Sequence, residues 1–280
     1  MKVLPFKIPK PETRAFVFQI DKGKTFYDKL HQHEEIQISY IAKGEGTLII
    51  GDTINNYKSG DILIIDGNLP HVFKSEFIGY ESHMMSLFFT KTSFGKDFFN
   101  LSELNGLNSF FKRCKHGFKV TSNQENIHAI FKTIAQQSQL SQFIGLLEIL
   151  QLVSVSSYAS LSSFVYNKSY SDNEGKRMRD VIEYTMNNFK RDINLHAIAE
   201  VANMTKNAFC KYFKKRTNKT YIQFLNDIRI EHATKLLQTK GDLSIAEIAE
   251  LSGFNNISNF NRQFKSVKNL KPSQIKKMES

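Results

Sequence analysis

An internal repeat in the last hundred residues constrains this chain most. Ile198-Ala199-Glu200 recurs as Ile248-Ala249-Glu250. After a one-residue insertion in the second copy, Phe209, Phe213, Lys214, Asn218 and Gln223 line up with Phe260, Phe264, Lys265, Asn269 and Gln274. Matching blocks in the same order mean two tandem copies of one supersecondary unit. In the second copy, Ser244 and Glu247 stand at the two positions of a capping box, and Ile245, Ile248 and Ala249 form a buried stripe. Gly253 allows the chain to turn out of that helix. Asn255 or Asn256 caps a following helix in which Phe260 and Phe264 face inward, leaving Ser258, Asn261, Arg262 and Lys265 outward. The first copy repeats the plan. Leu195, Ile198 and Val201 lie on its support helix and Thr205 is the cap. Its second helix buries Phe209 and Phe213 and exposes Asn207, Cys210, Lys211, Lys214 and Lys215. Two helices across a short turn, with polar and basic groups on the second, is the helix-turn-helix arrangement that enters a major groove. A bundle with a merely solvated charged face would not need the same plan twice.

Between the copies, residues 222–238 read as a helix with Phe224, Ile228, Ala233, Leu236 and Leu237 on one broad apolar face. Its length of about 26 Å approaches the ~34 Å between successive major-groove entries on one side of B-DNA. Charge agrees with this reading. Of the net +11, residues 172–280 carry +8 and the rest +3, so the excess lies where a polyanion would bind.

The N-terminal half has a different texture. From Phe16 to Phe89 short β-type runs alternate with glycine turns, and from Ser102 to Ser157 apolar residues recur at helical spacing. His31, His33 and Gln37 share parity on an expected strand, and His71 follows in a later run. The polar stretch 167–175 reads as a linker. The expected organisation is therefore α+β. Residues 1–166 form a β-barrel (about 1–95) with covering helices (about 97–166), and residues 176–280 form an all-α domain. The two cysteines, Cys114 and Cys210, fall in different domains and read as reduced thiols. No apolar run of membrane-spanning or signal-peptide length occurs, so a cytoplasmic location is expected.

Several of these strings, GFNNISNFNRQFKSVKNLKPSQI, IRIEHATKLL and AFCKYFKKRTNKT, resemble the AraC/XylS family signature over about the last hundred residues. The resemblance implies a sequence-specific transcription regulator of double-stranded DNA, with RNA polymerase as a further candidate partner. It implies base contacts from Asn207, Cys210 and Lys211 in the first recognition helix and from Ile257, Ser258, Asn261 and Arg262 in the second. Thr205, Lys214, Asn256 and Lys265 complete the expected DNA-contacting set. The H-x-H-x(3)-Q stretch and the run from Gly60 to His71 resemble the two motifs of cupin barrels, implying a sensor domain. Metal-binding cupins hold a divalent ion with three histidines and a glutamate. Here Gln37 stands at the glutamate position, a poorer ligand, so neither a metal nor any other cofactor is expected. His31, His33, Gln37 and His71 are instead expected to bind a small polar effector such as a sugar. No catalytic residue is expected. A homodimer is expected through the helices that follow the barrel. The alternatives are a cupin metalloenzyme with an accessory DNA-binding tail, and a DNA-binding regulator without effector.

Overall fold

A computed structural model describes residues 8, 14–76, 81–163, 165, 172–239 and 242–278. Contacts divide the chain into two compact units that part near Asn173 and Glu174.

The first unit is built on two sheets. The larger places β1 (Val17–Gly23), β7 (Ser82–Phe89), β2 (Ile36–Lys43), β5 (Ile62–Ile65), β8 (Phe118–Val120) and β9 (Tyr158–Ser160) side by side in that order. The smaller is β4 (Thr53–Tyr57), β3 (Gly46–Ile50) and β6 (His71–Ser75). β5 shows why some apolar runs lack a polar alternation. Ile62 and Ile64 pack outward on α1 (Asn108–Cys114), α2 (Gln124–Ile134) and α3 (Gln139–Val155), among Phe110, Phe131 and Leu146. Leu63 and Ile65, on the other face, join Ile41, Leu48 and Ile50 between the sheets. Both faces of this strand are covered, and both are apolar.

Two expectations need correction here. β8 and β9 extend the large sheet from within the region read as helical. A three-residue strand is too short to show a period. The expected linker ran to Gly175, but α4 (Asp172–Asn188) begins within it; residues 166–171 lie outside the described residues.

The second unit is helical: after α4 come α5 (Leu195–Val201), α6 (Lys206–Thr217), α7 (Tyr221–Thr239), α8 (Ile245–Leu251), α9 (Ile257–Lys268) and α10 (Pro272–Met278). α7 is about 28 Å long, one residue longer at each end than expected. In the first copy Phe209 and Phe213 pack on Tyr221, and Phe213 also on Phe224. In the second, Phe260 and Phe264 pack with Ile230, Ala233, Leu237 and Ile248. The repeated asparagines and glutamines have repeated jobs. Asn218 and Asn269 adopt left-handed φ of 55° and 56° and close α6 and α9, each N–H donating to the carbonyl of Lys214 or Lys265. Gln223 and Gln274 accept, each at 2.8 Å, the N–H three residues earlier, of Thr220 and Lys271.

Candidate nucleic-acid interface and ligand pocket

Each recognition helix is started by the side chain the spacing indicates. Thr205 Oγ1 accepts Ala208 N–H at 3.4 Å and Asn256 Oδ1 accepts Asn259 N–H at 3.0 Å. Ser244 and Glu247 form the reciprocal capping box on α8, at 2.8 and 3.2 Å. Gly253, with φ of 85°, makes the turn into α9. With Phe260 and Phe264 fully buried, Ile257, Ser258, Asn261, Arg262 and Lys265 stand exposed on the other side of α9. On α6, Asn207, Lys211 and Lys214 are exposed and Cys210 is half-buried. The structure thus groups each expected set on one face of its own helix. It adds a residue that period alone did not mark: Asn259 Oδ1 accepts Arg262 Nη2–H at 3.0 Å and so orients the guanidinium along the helix.

The histidines come together, although not as parity on a strand suggested. β2 begins only at Ile36; His31 forms an isolated bridge with His71, and His33 lies between. What aligns the rings is hydrogen bonding of each Nδ1 to a carbonyl two residues away, for His71 at the start of β6 as for His31 and His33 before β2. Nδ1 of His31, His33 and His71 lies 2.8, 2.9 and 2.9 Å from the carbonyl oxygens of Lys29, Glu35 and Leu69. A nitrogen facing a carbonyl must carry the proton, so each neutral ring presents an Nε2 lone pair. Burial keeps these rings neutral. It lowers the pKa of His31 to about 4, that of His33 below the usual histidine range and that of His71 well below it. The neighbouring imidazoles reinforce the shift at His31 and His71. One ring nitrogen from each of the three lies within 4.8 Å of the others.

Gln37 sits 3.2 Å from His33 Nε2 through its amide oxygen and 2.8 Å from Ser39 Oγ through its amide nitrogen, and Ser39 meets Ser86 at 2.7 Å. A neutral His33 has spent its proton on Glu35. A half-turn of the Gln37 amide therefore matches the pair, with the NH2 donating to His33 and Ser39 O–H donating to the amide oxygen. His71 Nε2 is fully buried and has no hydrogen-bond partner among the described residues. Three neutral imidazoles anchored through Nδ1 to backbone carbonyls are a donor set that fits a divalent metal such as zinc, provided His33 Nε2 exchanges its bond to Gln37 for the ion. The missing carboxylate stays missing, for Gln37 occupies its place. A cavity of about 50 Å³ opens beside His31, His33 and Gln37. Its wall includes three polar residues that motif spacing did not reveal: Gln19, Asp21 and Tyr27. Gln19 and Asp21 are two apart on β1, and Gln19 donates to the Asp21 carboxylate at 2.7 Å. Burial raises the Asp21 pKa above the usual carboxylate range.

A helix-turn-helix domain family matches residues 198–278 and a cupin domain family matches residues 16–85; together they span just over half of the chain. An HTH-type transcriptional regulator of Bacillus subtilis, YdeC, is 25% identical over 270 residues, which is 93% of this chain and 90% of that one. The chain carries the AraC-type helix-turn-helix and cupin domains that mark such transcription regulators. A second relative, an HTH-type regulator encoded in the cgkA 5' region of Pseudoalteromonas carrageenovora, is 35% identical to this regulator over 100 residues, 36% of this chain and 58% of that one. An HTH-type regulator of Staphylococcus aureus is 24% identical over 246 residues, and this chain spans about a third of its length. Among solved structures, ToxT of Vibrio cholerae O395 aligns over 95% of this regulator and 98% of its own chain, at 16% identity and a TM-score of 0.39. The regulator is thus a DNA-binding protein with a cupin domain joined to its helix-turn-helix pair. No helix among its described residues is long and apolar enough to cross a membrane.

Proposed function

We propose that this regulator reads a specific operator with α6 and α9 in successive major grooves, under the control of a small molecule held in the cupin pocket. The observation that carries the first half is the exposed row Ser258, Asn261, Arg262 and Lys265 on α9, with Asn259 aiming Arg262. Arg262 suits bidentate pairing with guanine, and the exposed Ile257 suits a thymine methyl. Selection of bound duplexes from a random pool by the full chain tests it. The expected result is a bipartite consensus. A pool returned without enrichment would overturn the reading.

For the pocket, size and chemistry narrow the effector. A cavity of about 50 Å³ walled by imidazole, amide and carboxyl groups suits a small polar effector such as a sugar. The imidazole lone pairs and the Asp21 carboxyl accept hydrogen bonds and Tyr27 offers a hydroxyl, so the occupant is a small polar molecule that donates hydrogen bonds. The orphaned His71 Nε2 favours a second reading, a divalent metal on His31, His33 and His71. Elemental analysis separates the two: the first expects well under one metal per chain, the second about one, lost in His33→Ala. We read the cupin unit as a binder rather than an enzyme, since the relatives that match along most of this chain are named as transcription regulators.

The same reading takes residues 1–166 as the sensor and 176–280 as the DNA-binding domain, in a cytoplasmic protein that meets RNA polymerase. It makes the active form a homodimer joined through α3, on which Leu140 and Ile144 stand exposed one turn apart. Sedimentation of Ile144→Lys as a monomer where the parent sediments as a dimer is the expected result.

A further inference from the structure

The two helix-turn-helix copies are joined by more than the backbone of α7. Arg229, near the middle of α7, donates Nε–H to the carbonyl of Phe189 at 2.7 Å and Nη2–H to that of Arg191 at 2.7 Å. Those carbonyls follow the end of α4, on the segment that leads into the first copy. The same guanidinium lies over the ring of Phe254, 5.7 Å from its centroid, in the turn of the second copy. Gly253 closes the contact. A Cβ there would stand 2.6 Å from the carbonyl oxygen of Phe189 and 3.0 Å from both Arg229 Nε and Lys190 Cα. Close by on α7, His232 packs on the Phe189 ring at 5.1 Å, and its Nδ1 lies 3.1 Å from the buried Ser252 Oγ. The entry to the first copy and the turn of the second therefore meet at one side chain.

A helix of about 28 Å with a reading head near each end has one operator spacing only if both heads are fixed to it. Arg229 supplies that fixing through a planar fork that holds two carbonyls at once, which the single ammonium of lysine cannot reproduce. It lies on neither recognition helix. We propose that Arg229 is a positioning residue: it fixes the distance and phase between α6 and α9, and thereby the spacing of operator half-sites the regulator accepts. This rests on the reading in which both helices contact one duplex. When the heads are held in register, binding of the first presents the second at high effective concentration. Loosening the clasp lowers that concentration and lets other spacings compete.

The test uses the full chain and the duplex it selects from a random pool, with one base pair inserted or removed between the halves, and with each half alone. The expected result is that Arg229→Ala binds the selected duplex about tenfold more weakly, loses the preference for the original spacing, and binds isolated halves as the parent does. An unchanged spacing preference would overturn the proposal. So would equal weakening on halves and whole, which marks a general loss of fold. If Arg229→Ala does not fold, Arg229→Lys is read on the same panel, with the same outcomes deciding. A parent chain that selects a single half-site overturns the two-headed reading itself, which is a separate failure from a parent that keeps its spacing preference when Arg229 is changed.

Discussion

Arg262 lies in sequence between two fully buried phenylalanines, Phe260 and Phe264, so it must project from the opposite side of α9. Its replacement by alanine is expected to cost about 1–3 kcal/mol at the operator and to relax specificity at one base pair. Lys265 stands in the last turn, where phosphate is nearer than base edges, so Lys265→Ala is expected to weaken all DNA alike. Binding to a library of single-base operator variants separates these patterns, and uniform weakening by Arg262→Ala would make it a phosphate contact. A second expectation concerns acid. Burial first, then Lys190 and Lys235, lower the pKa of His232 to about 4. The unfolded chain, with a histidine near 6.5, therefore takes up a proton before the folded one does. Stability carried by this residue is present above pH 6.5 and lost as pH falls toward 4. Denaturant midpoints between pH 7 and 4 should fall less steeply in His232→Gln than in the parent. Arg262 was legible from phenylalanine spacing alone. Asn259 and Asp21 carried no spacing signal, and Arg229 was hidden because it acts through Phe189, Arg191 and Phe254, which only folding brings near.

The helices were legible where their ends carried chemistry. α8 and α9 begin at Ser244 and Asn256 because those side chains accept N–H groups the helix leaves unpaired. Asn256→Ala should therefore destabilise the helical unit by about 1 kcal/mol and weaken operator binding as α9 frays. Thermal unfolding with paired binding curves checks this, and an unchanged melting point would mean the cap contributes nothing. Strands were legible as runs, but their edges were not. The segment 29–35 has the alternation of a strand and yet holds His31 and His33 by bonds to nearby carbonyls, while β2 starts at Ile36. Alternation tells which residues share a side only if a ladder forms, and the ladder depends on a neighbour the local sequence does not contain.

Across the whole molecule the charge asymmetry and the repeat carry one consequence. A chain beginning at Asp172, where α4 starts, should fold alone and bind the operator while losing any response to the pocket's ligand. With about five phosphate contacts its log K against log salt should fall with a slope near −4.5; a flat dependence would refute the electrostatic account. The sequence by itself determined that two equivalent helix-turn-helix units lie in the basic third of the chain, which residues face outward on them, and that a β-rich half precedes them. Periodicity, caps and turns are local physics written in neighbouring residues. Only the tertiary structure decided that His71 shares one space with His31, His33 and Gln37, with Asp21 nearby, and that Arg229 joins the approach to one copy to the turn of the other. Those facts arise from packing between segments far apart in the chain, where each contact depends on the placement of all the rest.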